Sequence, residues 1–352
     1  MNELNLITKN PLVQKIAAGD ANEELLELLL DKRLPLTDEE YLESLVFLVA
    51  NENLKKKALK LLKNIPEQIK INYVEKIQAN PRIAYFIVLE ALNMKNLNIL
   101  IKVIHNQAFP YEFLLKIAEK GDAASLEALL ENQIKLIAYP QIMDVMELNP
   151  GIDNFIKGKI HELKDFYLKE GTATEIPFEE ILEDVKDIFV EEIKAAGDEN
   201  KTAEVPLAVI EEKALTELQM INKMSVSDRM KLALVGTKTQ RTILIKDSNK
   251  MVMNAVVASP KLSADEVILF IRNKSTPGEI IGKIADNREW IKNYQVVLSL
   301  VQNPKTPIKS ALGFIKMLHL KDLQQVVKDK NMNPVIRTLA VNFFKQKTKV
   351  KG

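Results

Sequence analysis

The sequence predicts an all-α protein, an α-solenoid of short antiparallel helical hairpins arranged in two halves. Three observations predict it. Apolar residues recur at helical spacing along nearly the whole chain, and sustained period-2 alternation is missing. A turn chemistry that joins Asn to a nearby Pro returns between these segments. Its two best copies, Asn273-Lys-Ser-Thr276-Pro277 and Asn303-Pro-Lys-Thr306-Pro307, stand 30 residues apart, the spacing of a helical-hairpin repeat.

The first half is expected over residues 1–165. In residues 39–51, Leu42, Leu45, Val46 and Val49 fall at i, i+3, i+4 and i+7, and Thr37 with Glu40 makes a capping box. NLKKKALKLLKN, PEQIKINYVEKIQAN, RIAYFIVLEALNM and NLNILIKVIHN follow, each three to four turns long. Asn80-Pro81, Asn106 through Phe109-Pro110, and Asn149-Pro150 punctuate them. At such a break Asn is expected to close the outgoing helix in the left-handed conformation. Thr is expected to cap the next helix, with Pro in its first turn, where a missing N–H costs nothing.

Residues 166–215 differ in kind. LKEGTATE and AAGDENKTAE are polar, acidic and Gly-containing, as linkers are. Between them, about residues 176–197, lies one amphipathic helix opened by Pro177. Phe178, Ile181, Leu182, Val185, Ile188 and Phe189 form its apolar stripe, while the other faces are largely acidic. The stripe is expected to act as a latch, on its own chain or in a partner's groove, the alternative being one more fixed element of the first solenoid.

The second half is expected over 216–352. Ser263 with Glu266, and Thr276 with Glu279, are candidate capping boxes. Asn331 followed by Pro334 marks the last break. Gly236 in VGTKTQRT is read as the end of a helix and Thr237 or Thr239 as the next cap, since the upstream Gly of a phosphate loop is missing.

These units resemble the HEAT-like and leucine-rich-repeat-variant α-solenoids. KMSVSDRMKLALVG, and NREWIKNYQVVLSLVQNPKTPIKSAL onward, further resemble a group of bacterial proteins known mainly as hypothetical, which pair two helical halves across an acidic linker. The resemblance implies fold and organisation and carries no activity with it.

Charge is sorted along the chain. Residues 1–161 hold 19 Lys/Arg against 22 Asp/Glu, residues 162–213 hold 6 against 16, and residues 214–352 hold 24 against 10. The net +1 of the whole therefore hides a basic C-terminal half at +14 and an acidic segment at −10. If one cation per repeat shared a face, a solenoid would carry a positive groove for a polyanion or an acidic protein. Arg241, Arg272, Lys274, Lys305 and Lys309 are the candidates. Arg288, Trp290, Lys292 and Tyr294 join them, with Arg288/Lys292 and Trp290/Tyr294 each four apart on an expected helix. HEAT-like DNA glycosylases act on nucleic acid from an aromatic-lined acidic site, but one Asp near one Trp is not such a set.

Cysteine is absent, which removes disulfides and thiolate chemistry and fits a reducing cytoplasm. His105, His161 and His319 are too far apart in sequence to form a metal motif. Glu180, Glu183, Asp184 and Asp187 lack a binding loop and read as a solvated helix face. No run approaches the ~20 apolar residues of a membrane span. The expectation is a non-enzymatic cytoplasmic scaffold or adaptor without cofactor or metal. It would bind another protein in a solenoid groove, the alternative being nucleic acid on the basic half.

Overall fold

The computed structural model describes residues 6–76, 80–167, 207–273, 275–329 and 332–349, together with Leu182, Val185, Lys186 and Ile188. The protein is all-α: among the described residues there is no strand. The chain divides into two compact units, Met1–Phe166 and Tyr167–Gly352.

Unit 1 contains α1 (Pro11–Ala18), α2 (Glu23–Leu30), α3 (Asp38–Leu48), α4 (Glu52–Lys63), α5 (Glu67–Val74), α6 (Pro81–Asn93), α7 (Leu97–His105), α8 (Tyr111–Lys120), α9 (Ala123–Glu131), α10 (Gln133–Ala138), α11 (Gln141–Glu147) and α12 (Asn154–Tyr167, whose last residue crosses the boundary). Unit 2 contains α13 (Leu207–Asn222), α14 (Val226–Val235), α15 (Lys238–Leu244), α16 (Lys250–Val257), α17 (Ala264–Arg272), α18 (Gly278–Asp286), α19 (Tyr294–Gln302), α20 (Ile308–Ile315), α21 (Leu320–Lys328) and α22 (Pro334–Lys349). A 3-10 turn at Trp290–Lys292 sits between α18 and α19.

Short amphipathic helices bury one stripe each, so each needs neighbours on more than one side. Those neighbours are regular. α1, α3, α5, α7 and α9 pack successively on one another, α2 packs on α4, and α6 packs on α8. In unit 2, α14, α16 and α18 form one such series and α15, α17 and α19 another. Leu42, Leu45 and Val46 of α3 are buried as their spacing requires, and so are Ile280, Ile281 and Ile284 of α18.

Polar side chains clamp these layers together. Asn106 Nδ2 donates to the carbonyl of Val74, 32 residues earlier, at 2.7 Å. Asn132 does the same to Ile104 at 2.5 Å, Asn149 to Ala118 at 2.8 Å, and Asn303 to Ile271. The receiving carbonyls sit at or next to helix C-termini, where they lack an intrahelical donor. The Oδ1 of Asn106, Asn149 and Asn303 also accepts the N–H two residues on, so one side chain fixes its own turn and the preceding layer.

This geometry corrects the expected turn chemistry. Asn106, Asn273 and Asn303 have φ of −76°, −70° and −85° and are extended, not left-handed. From that backbone the amides of Asn106 and Asn303 reach the preceding layer. Thr276 and Thr306 do not cap the next helix. Their hydroxyls donate back to Phe270 and Leu300 at 2.8 and 2.6 Å. Pro277, Pro307 and Pro110 are themselves the cap residues, without a side-chain cap bond, so Thr276 and Glu279 make no capping box. At Asn80-Pro81 the proline does stand in the first turn of α6 as expected, but Asn80, at φ −63°, caps that incoming helix instead of closing the outgoing one. The capping boxes Thr37/Glu40 and Ser263/Glu266 form, and Thr237 caps α15 after Gly236 ends α14. A Cβ on Gly236 would stand 2.4 Å from the Leu232 carbonyl oxygen, so this close helix ending requires glycine. Asn331 lies outside the described residues; Asn333 Oδ1 accepts the Val335 N–H at the start of α22.

Candidate interaction surfaces

The Asp286–Tyr294 segment is not one helix. α18 ends at Asp286, the 3-10 turn follows, and Asn293 caps α19. The four-residue spacings of Arg288/Lys292 and Trp290/Tyr294 therefore do not set stripes on a shared helix face. Arg288 and Lys292 are both exposed, Lys292 Nζ lying 2.7 Å from the equally exposed Glu289 Oε1. Trp290 is half-buried. Tyr294 Oη donates to Asp322 Oδ2 at 2.5 Å and accepts the His319 N–H at 3.0 Å, and its ring lies 4.2 Å from the His319 ring at a tilt of 33°. Tyr294 thus braces α19 against the cap of α21. Burial and then the Asp322 bond push its phenol up.

The remaining cations also divide. Arg241 is 4% exposed; its Nε and Nη2 meet Glu266 at 2.8 and 3.0 Å and its Nη1 reaches the Gly236 carbonyl. It is an internal tie, not a groove cation, because an unpaired guanidinium could not be buried there. Arg229, fully buried, repeats the device with Asp247 at 2.8 Å and the Met224 carbonyl. Lys305 Nζ caps the Thr276 carbonyl at 2.9 Å. Arg272 and Lys309 are exposed; Lys274 lies outside the described residues. Stepping 30 residues from Arg272 reaches Gln302, and from Lys309 back reaches Glu279, so equivalent positions do not repeat a cation.

In the acidic helix, Phe178, Ile181 and Phe189 lie outside the described residues. Val185 and Ile188 are 0% and 4% exposed, and Leu182 is half-buried. His105 meets Glu131 at 3.4 Å and His161 meets Asp165 at 3.2 Å, both on the surface. Among the described residues no group of His, Asp and Glu is placed to hold a metal ion, and no helix is long and apolar enough to cross a membrane.

Sequence reasoning missed a surface on unit 1. α12 buries Ile156 and Ile160 and leaves Phe155 59% exposed. Phe155, Leu163 and Lys159 face Glu127, Leu130 and Glu131 of α9 across an open groove of about 370 Å³. The open face of α12 continues past Gly158 to Phe166. Leu148, just before α12, is 84% exposed. The signal was present as the i, i+3, i+4, i+7 set Phe155, Gly158, Lys159 and Glu162. It looked like the ordinary wet side of an amphipathic helix.

Unit 1 also hides Lys135, 4% exposed on α10. Its Nζ donates to the Phe109 carbonyl at 3.1 Å and stands 5.7 Å from the Tyr139 ring, which stacks on Tyr111. Burial pushes this ammonium down to about 8, opposed only by Glu112.

Comparison of the chain with protein-family models, with curated proteins and with solved structures returned no match. The resemblance to HEAT-like arrays therefore rests on helix pairing and turn chemistry alone.

Proposed function

We propose that the chain is a non-enzymatic cytoplasmic scaffold, built as an α-solenoid, that holds an apolar segment of another protein on the α9–α12 face of unit 1. The observation that carries this reading is Phe155. It is a large aromatic ring 59% exposed where the α9–α12 groove meets the open face of α12, with Leu130 and Leu163 beside it. Aromatic anchors in such settings dominate protein interfaces, and contiguous exposed apolar surface marks interaction sites.

The nucleic-acid reading keeps Arg272, Arg288 and Lys309 as exposed cations. It loses Arg241, whose charge meets Glu266 in the interior, and Lys305, whose ammonium holds the Thr276 carbonyl, while Lys292 stays exposed in a surface pair with Glu289. One experiment separates the two. The full chain and its Phe155→Ser variant are used to capture partners from nuclease-treated extract of the source cells. A defined protein retained by the parent and lost by the variant supports the scaffold. Loss of all captured material to nuclease moves the function to the basic unit. There, binding to DNA or RNA should fall linearly in log–log with salt.

A further inference from the structure

We propose that the groove between α2 and α4 is a second docking site, and that its occupant is a basic amphipathic helix of a partner protein. The groove encloses about 550 Å³ and is lined by Glu23, Leu26, Glu27, Leu30, Asp31, Asn51, Asn53, Leu54 and Lys57. Its floor is Leu26, Leu30 and Leu54, all half-buried. α2 reads Glu-Glu-Leu-Leu-Glu-Leu-Leu-Leu, and of its five leucines only Leu29 is fully buried. α4 is its principal helical neighbour. Leu25, Leu26, Leu28 and Leu30 thus stay partly open to solvent.

The wall specifies the charge of what covers it. Glu23, Glu27 and Asp31 are exposed and recur every four residues along one edge of the groove. Against them stands Lys57 on the α4 wall, and Arg33 approaches Asp31 only at 3.9 Å with both side chains exposed. Eight residues of helix span about 12 Å, so the acidic row matches two turns of a helix carrying Lys or Arg at four-residue spacing. A helix in a groove is read through apolar anchors at i, i+3/i+4 and i+7, and Leu26, Leu30 and Leu54 offer the seats.

The chain's own segments fit poorly. The 176–197 helix is acidic and would meet like charge. The cationic helices α4 and α22 each bury part of an apolar side in their own unit, Ala58 and Leu62 in one, Ile336 and Ala340 in the other. The site is independent of the α9–α12 face.

Fluorescence anisotropy of the full chain with labelled synthetic peptides tests the proposal. The probes are an 18-residue amphipathic leucine/lysine peptide, the same composition shuffled to destroy its apolar face, and a leucine/glutamate counterpart. The amphipathic leucine/lysine peptide should bind at least tenfold more tightly than the shuffled one. The triple change Glu23→Lys, Glu27→Lys and Asp31→Lys should weaken it at least tenfold and admit the glutamate peptide. Those three residues are exposed, so the variant retains the fold, and a circular-dichroism melt verifies this. Leu26→Ser should weaken the peptide without reversing its charge preference. Unchanged affinity in the charge-reversal variant would place the peptide on the acidic 162–213 segment and overturn the proposal, as would no binding at all. Self-association in sedimentation that Leu26→Ser abolishes would give the groove to a second copy instead.

Discussion

Glu43 on α3 is fully buried and has no cationic partner among the described residues. Its Oε1 accepts the Ile7 N–H at 2.9 Å and the Tyr73 hydroxyl at 3.1 Å, and its Oε2 accepts the Thr8 N–H at 3.3 Å. Three neutral donors tie the N-terminal segment, α3 and α5 to one carboxylate. Burial raises Glu43 above its ordinary 4.5 despite these bonds. The folded chain therefore holds this proton more tightly than the unfolded chain. The cost of the buried charge is full above the folded value and is relieved as pH falls towards 4.5. Glu43→Gln resembles the protonated form. In thermal melts the variant should match the parent near pH 4.5 and gain on it as pH rises to neutrality. Lys135 has the opposite sign. Its pKa is lowered from 10.5 to about 8, so burying its charge is costly below pH 8 and the cost fades between 8 and 10.5. Relative to Lys135→Met, the parent should gain about 3 kcal/mol across that window in denaturant titrations.

At the scale of elements, the helices follow local rules and the turns between them do not. Apolar spacing placed α3, α4, α6 and α7, and the boxes at Thr37 and Ser263 formed because both partners lie within one turn. The Asn turns were recognised, yet their chemistry was misread. A left-handed cap is a local solution, whereas Asn303 reaches the Ile271 carbonyl one layer away. Asn303→Ala would orphan that carbonyl and the Lys305 N–H, and should cost about 2–3 kcal/mol in urea unfolding. Asn293→Ala, which removes only an ordinary cap on α19, should cost about 1 kcal/mol. Thr276 and Thr306 make the same bond six residues back. Thr276→Val and Thr306→Val should each lose about 1 kcal/mol, and markedly unequal losses would deny that the two turns are equivalent.

At the scale of the molecule, each of the two units has its own buried core. Unit 2 also holds two buried ion pairs, Arg229–Asp247 and Arg241–Glu266. Breaking one leaves an uncompensated buried charge, so Glu266→Gln should cost about 3–5 kcal/mol. Calorimetry should show two transitions. Glu266→Gln should lower one of them, and Asn149→Ala, which cuts the clamp to Ala118 in unit 1, the other.

What the sequence by itself determined is the all-α class, because helical periodicity and capping boxes are written within a few adjacent residues. The recurrence of Asn–Pro turns and the sorting of charge were legible for the same reason. Only the tertiary structure decided which charges are available. Arg241 and Arg288 look alike in a basic stretch, but one meets Glu266 25 residues away in a dry interior and the other stands in solvent. Only the fold decided, too, that Leu26, Leu54 and Phe155 keep apolar surface in open grooves while similar leucines and phenylalanines vanish inside. A helix's apolar stripe says that something must cover it; which part stays bare depends on the neighbour that packs there, and that neighbour comes from elsewhere in the chain.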